Sequence, residues 1–288
     1  MTGRRGDLRL APRTRLRVAA AAGAAIGAVG CGGGLPLLQP ARSLGIGEVR
    51  ALAGFSSNVA LGSLAGAERN ATNEGVAAAA SGQGPTPGDV AYAEGALVAA
   101  SVAPGIAPVA GAHVGIGDDF EGGLVFTGRA LRLDVRRSFA LSEKWDLSLG
   151  AAGSAVLYGR GGENAAVPGV DLGRLHGWGA DVPLLVGYQS DGDLYMIWFG
   201  ARGGWQHVDI GDVTSEPGST PFGAPPLSLS ATQFWGGGVV GGAVGFRHVH
   251  VAVELDASYA TVSGEFNGAH ATAGGASLMP AAALWWTF

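Results

Sequence analysis

The sequence predicts an all-β fold, a single antiparallel up-and-down transmembrane β-barrel of about ten strands within a range of eight to twelve. Three observations predict it. Segments along most of the chain alternate apolar and polar residues with the period of two that belongs to strands. The composition is too apolar for a chain that meets water over its whole surface: 14% of residues are charged, Gly supplies 52 of 288, and mean hydropathy is +0.26. The connectors between the alternating segments are short and long in turn, as in barrels that cross a membrane.

The amino terminus reads as a targeting segment. Arg4, Arg5, Arg9, Arg13, Arg15 and Arg17 form a basic region, and Val18 to Gly30 is an uncharged run ending at Cys31. The run falls short of the roughly 20 residues of a membrane helix. Cleavage before Cys31 is expected. Ala28-Val29-Gly30-Cys31 resembles a bacterial lipoprotein cleavage box, with Ala28 where such boxes most often have Leu, and the same tripeptide suits ordinary signal peptidase. Cys31 is the single cysteine, so an internal disulfide is excluded, and its position favours lipid attachment over a spare thiol. The expected division is a signal peptide over 1–30, an N-terminal tether over 31–46 and a barrel over 47–288.

The strands follow in order. Glu48 to Ala60, Ile106 to Ile116 and Phe120 to Thr127 carry weaker alternation. Asp89 to Val102, small residues following Pro87, fits a short helix or a strand. Leu131, Leu133, Val135 and Phe139 form one face of the next strand, with Arg132, Asp134, Arg136 and Ser138 on the other. Arg137 breaks that pattern near the strand end, where a bulge or snorkelling to an interface accommodates it. Trp145 to Tyr158, Trp178 to Tyr188, Leu194 to Val208 and Ser230 to Phe246 continue the series. Val249 to Tyr259 alternates most clearly, with valines and Leu255 on one parity and Glu254 and Asp256 on the other. Gly274 to Phe288 closes it; many glycines and period-two aromatics favour strand over membrane helix, and Pro280 requires a disturbed ladder.

Read backwards, the connectors are Glu265 to Ala273 (long), Arg247-His248 (short), Gly211 to Leu229 (long), Ser190 to Asp193 (short), Gly159 to Gly177 (long) and Ser142 to Lys144 (short). Thr127 to Arg129 is short on the side that should be external. The segment between Ala60 and Ile106 is an external excursion.

Leu284, Trp286 and Phe288, alternating and ending on a terminal aromatic, resemble the closing-strand signature of bacterial outer-membrane β-barrel proteins. The resemblance implies location in the bacterial outer membrane, contact with its lipid, and recognition by the barrel-assembly machinery during biogenesis. Tyr and Trp at strand ends (Trp145, Tyr158, Trp178, Tyr188, Tyr195, Trp205, Trp235, Tyr259 and Trp286) fit aromatic girdles. The polar parity then faces the lumen: Arg132, Asp134, Arg136, Asp146, Asp181, Arg202, Glu254 and Asp256 are of both signs and can pair across a narrow interior.

Other chemistry is weakly signalled. Net charge is −5, so no basic face invites nucleic acid. His248 and His250 share a parity with Glu254 and Asp256, yet no third metal ligand can be named, and they read as lumen-lining residues. His176 and His207-Val208-Asp209 could serve an outer-membrane hydrolase, but no G-x-S-x-G occurs and no base-orienting partner is evident. Gly236 to Gly242 lacks the Lys-Ser/Thr ending of a phosphate loop. The expectation is a barrel without catalytic residues, metal or cofactor. Its lumen is largely filled by side chains, and its role is structural or small-pore and porin-like. The alternatives are a secreted soluble barrel binding an apolar ligand and an outer-membrane hydrolase.

Overall fold

The computed structural model describes residues 32–81, 89–160, 167, 170–213 and 227–288. Cys31 and the targeting segment expected over 1–30 lie outside them. Ten antiparallel strands form one closed barrel: β1 (Val49–Ala60), β2 (Gly105–Gly117), β3 (Phe120–Phe126), β4 (Ala130–Ala140), β5 (Trp145–Val156), β6 (His176–Gln189), β7 (Tyr195–Val213), β8 (Leu227–Phe246), β9 (Val249–Phe266) and β10 (Ala269–Thr287). Each strand pairs with its neighbours in sequence, and β1 closes the ring against β10, with Ala53 opposite Leu284 and Ala51 opposite Trp286. Closure removes both sheet edges, which is what a β-structure needs inside a bilayer.

The period of two sets the two faces. On β4, Leu131, Leu133 and Val135 point outward and Arg132, Asp134 and Arg136 are buried inside. On β9, Val249, Val251, Val253 and Leu255 are exposed, while Glu254 and Asp256 are buried. The wall is therefore apolar outside and turns the charges of these strands inward, the reverse of a soluble ligand-binding barrel. Arg137 lies on the outer face near the β2–β3 turn, its guanidinium 5.2 Å from the Phe120 ring centroid and 5.1 Å from that of Phe139. This is the snorkelling arrangement: an apolar stem along the wall and a charged head at its edge. Trp235 departs from the girdle expected of it. It sits on the inward parity of β8, half-buried, with the Arg202 guanidinium 4.9 Å from its ring centroid.

One end of the barrel carries tight turns, among them Asp118-Asp119 (φ 50° and 62°) and Arg247-His248, together with Phe288. The other end carries the long connections after β1, β5 and β7. The expected long connector between Glu265 and Ala273 is instead a two-residue turn, Asn267-Gly268, at φ 48° and 82°. Asn-Gly supplies the two positive φ values of a type I′ hairpin, so β9 and β10 run on to Phe266 and Ala269. Pro280 is accommodated as the sequence requires. The β1 ladder pairs Ser56 with Ala281 and Val59 with Leu278 but skips the positions between.

The excursion after β1 contains two helices, α1 (Gly62–Ser81) and α2 (Val90–Ser101). Asp89 caps α2, its carboxylate accepting the Ala91 and Tyr92 amides at 3.0 and 3.2 Å. Arg129 closes the other end by donating to the carbonyls of Ala100 (3.0 Å) and Ser101 (3.4 Å). Small apolar residues surround α2 on every side, the pattern of a helix buried all round. Its core cluster joins inward residues of β7 to β10, among them Val208, Leu229, Val262 and Phe266. Gly95 lets α1 lie close, since a Cβ there would run into the Ala71 side chain. The helix pair thus fills the lumen at the long-loop end.

Candidate functional site: the filled lumen

Residues 32–46, expected as a tether, run through the barrel, largely buried from Gly32 to Leu44 and exposed at Gly45 and Ile46. They pass from the long-loop end, where the Gly33 amide donates to the Ala103 carbonyl (3.0 Å), to the tight-turn end, where the Gly47 amide donates to the Gly115 carbonyl (2.9 Å). Leu37, Leu38 and Ala41 are fully buried against an inner layer that includes Leu52, Leu185, Trp198 and Trp285. Trp198 and Trp285 stack at 5.7 Å, and Arg50 lies 5.0 Å from the Trp285 ring centroid.

The inward charges form two clusters that meet where His113 Nδ1 lies 3.9 Å from Asp134. In the first, Asp181 accepts from Arg132 Nε (3.1 Å) and Nη2 (3.0 Å) and from Arg202 Nε (2.9 Å). Arg132 also reaches Asp134 at 3.0 Å, and Arg202 reaches Asp256 at 3.4 Å. In the second, Glu121 accepts from Arg136 Nη2 (2.8 Å) and lies 3.3 Å from His113 Nδ1 and 3.8 Å from Arg50. These groups are almost wholly buried, so each charge relies on its partner rather than on water.

Of the eight residues read from the sequence as a lumen set, the structure brings Arg132, Asp134, Asp181, Arg202 and Asp256 into one connected chain. The other three bind residues the sequence reading did not place in the lumen. Arg136 joins Glu121 and donates to the Pro40 and Arg42 carbonyls. Asp146 accepts from Arg42 Nε at 2.7 Å. Glu254 accepts the amides of Leu37 (2.6 Å) and Leu38 (2.9 Å) and the Trp198 indole N–H (2.9 Å).

Arg50, His113, Glu121, Arg42 and Trp198 were missed. Glu121 was legible: it is the one charge in β3, on the parity opposite Phe120 and Leu124. His113 similarly opposes Val114 and Ile116. Arg42 belongs to no strand, and nothing periodic could have signalled it.

The remaining histidines form no metal or catalytic cluster among the described residues. His250 Nε2 lies 2.6 Å from the Asp193 carbonyl at the tight-turn end. His176 pairs with Asp209 at 2.6 Å, and His207 pairs separately with Thr232 at 3.1 Å. His176–Asp209 is exposed and His207–Thr232 partly buried, both on the outer face, and among the described residues no third group joins them into a triad.

No family model matches the chain, and no curated protein matches it. Solved structures do. Neisserial surface protein A is similar over 84% of this chain and 96% of its own, at 11% identity and a TM-score of 0.31. Ail, the attachment invasion locus protein of Yersinia pestis, covers 85% and 100%, at 9% identity and a TM-score of 0.26. The outer membrane protease OmpT from Escherichia coli covers 86% and 100%, at 10% identity and a TM-score of 0.29. The described residues of this chain themselves close into an antiparallel barrel of ten strands. The wall speaks on physical grounds: a closed barrel exposing Leu133, Phe199, Val240, Val251 and Trp286 outward is built to face lipid.

Proposed function

We propose that the protein is a closed-lumen barrel of the outer membrane with a structural role and no steady pore. The observation that carries this reading is the double filling of the interior. An apolar seal, α2 against β7 to β10, occupies the long-loop end, and the 32–46 arm with the charged network occupies the rest. A cavity of about 60 Å³ lies between them, bordered by Leu35, Ser101, Arg202, Gln233 and Trp235. That is room for a few waters, and not for a hydrated ion's path. Outward Leu284, Trp286 and Phe288 on the closing strand fit recognition by the assembly machinery, and Cys31 remains the proposed point of lipid attachment. Catalysis forms no part of the proposal.

Planar bilayers test it. Purified protein should insert without a stable open level, and so should Glu254→Ala with Asp256→Ala, because freeing the arm leaves the helical seal in place. A wide, steady conductance from the unmutated protein would replace the structural role with transport.

A further inference from the structure

We propose that the lumen is a binding site for a threaded polypeptide backbone, occupied by residues 32–46, which carries the chain ahead of Gly32 out at the long-loop end and so presents it on the cell surface.

The barrel grips the arm chiefly by its main chain. From the long-loop end downward, Ser56 Oγ donates to the Gly34 carbonyl (3.3 Å) and Arg202 to the Leu35 carbonyl. Glu254 then accepts two successive amides, Leu37 and Leu38. Leu38 is held at φ 48°, a conformation uncommon for a side-chain-bearing residue. A turn into the left-handed region lets neighbouring N–H groups converge on one anion, and here that anion is a carboxylate of the wall. Below it, Arg136 donates to the Pro40 and Arg42 carbonyls. The Ser43 amide then meets Ser138 Oγ (3.2 Å) and the Leu44 amide Glu121 (2.9 Å). Contacts with the backbone hold the peptide by its main chain, while Leu37 and Leu38 fix its register by filling the inner apolar layer.

The direction of the path determines the consequence. A chain whose amino terminus stayed on the periplasmic side would enter β1 directly, since β1 starts at the tight-turn end. Instead the arm descends the whole lumen before β1 ascends, and Gly32 packs against the Pro104 carbonyl and Gly105 beside the start of β2. In outer-membrane barrels the short turns are periplasmic and the long loops external. Whatever precedes Gly32 in the mature chain therefore leaves on the outside, whether or not Cys31 carries lipid. The barrel acts as a display device for its own amino terminus. This inference is independent of whether the lumen conducts.

Two measurements on the full-length protein in cells test it. A protease site inserted between Cys31 and Gly32 should be cut in intact cells as readily as one inserted at Gly173 in the β5–β6 connection. One at Gly192, in the β6–β7 turn, should be cut only after the outer membrane is permeabilised. Cleavage of the Cys31–Gly32 site only after permeabilisation would overturn the proposal. Because an insertion can itself disturb threading, a crosslink supplies the second arm. In a Cys31→Ser background, Gly34→Cys with Met279→Cys should form a disulfide, since a Cβ at Gly34 would meet the Met279 side chain. Gly34→Cys with Ala283→Cys, lower in the lumen, should not. No crosslink at 279, or a crosslink at 283 instead, would sink the proposed path.

Discussion

Arg132 and Asp181 are joined by two parallel hydrogen bonds of 3.1 and 3.0 Å although they stand on β4 and β6, which share no ladder. The pair bridges over the inner face of β5, and Arg202 reaches the same carboxylate from β7 at 2.9 Å. Side chains thus tie together strands that the backbone does not.

Asp181→Ala leaves two buried guanidinium groups around an empty position. Breaking a buried pair by removing one partner costs about 3–5 kcal/mol, because the remaining charge is uncompensated. Replacing Asp181 should therefore destabilise more than replacing Asp146, whose partner Arg42 is partly exposed. Urea unfolding in lipid vesicles, compared across both variants, measures the difference. Equal costs would mean that water reaches the lumen network.

The wall gives a second prediction. Val253 lies outward in the middle of the apolar stretch of β9, whereas Ser263 lies outward ten residues further on, beyond Tyr259. Val253→Arg should cost ~2–4 kcal/mol, the range for arginine at the bilayer midplane, and Ser263→Arg ~0–1 kcal/mol. The same unfolding assay reads both. Similar penalties would place Ser263 in hydrocarbon and displace the membrane boundary from the Tyr259 level.

Much of this was legible in the sequence, and the reason is physical. A wall with lipid outside and a narrow interior inside forces period-two alternation, so Val251, Glu254, Leu133 and Asp134 reveal their faces from spacing alone. Turn chemistry was equally present but was outweighed by composition: the polar run from Glu265 to Ala273 resembles a loop, while Asn267-Gly268 within it specifies a tight hairpin. What fills the lumen was not legible. The arm has no periodicity, its grip is through backbone atoms, and Leu37 and Leu38 read as ordinary apolar residues. Helix α2 was ambiguous because a helix buried on every side has no polar stripe to betray its period.

That hairpin can be tested directly. Gly268 at φ 82° is in a region that side chains rarely adopt, and a Cβ there meets nothing within 4 Å, so backbone conformation alone sets the cost. Gly268→Val should destabilise by ~1–3 kcal/mol, the usual cost of holding a side-chain residue in a sparsely populated region. Gly211, which has a free Cβ position and no positive φ, should accept Ala with little effect. Equal tolerance at the two sites would argue against a left-handed turn at 268.

Arg129 joins the wall to the helical seal. Burial pulls its guanidinium down to about 10, from 12.5, so it keeps its charge at neutral pH and faces the carbonyl end of α2. A cation there satisfies terminal carbonyls and complements the negative end of the helix. Arg129→Met preserves the apolar stem but removes both hydrogen bonds, and hydrogen bonds to charged groups are worth ~1.5–3 kcal/mol each. The sign of any pH effect follows from the lowered value. The folded state sheds this proton more readily than the unfolded one, so the charged group is held at a cost below about pH 10, and that cost fades as pH rises from 10 toward 12.5. The variant should therefore lose the contribution at neutral pH through its missing bonds, not through charge alone. Hydrogen exchange at the amides of residues 93–102 should quicken by roughly two to four orders of magnitude, what losing both bonds implies at ~1.4 kcal/mol per tenfold, while β9 amides stay protected. Unchanged exchange in the helix would show that the apolar cluster around Leu97 holds α2 in the barrel without its cap.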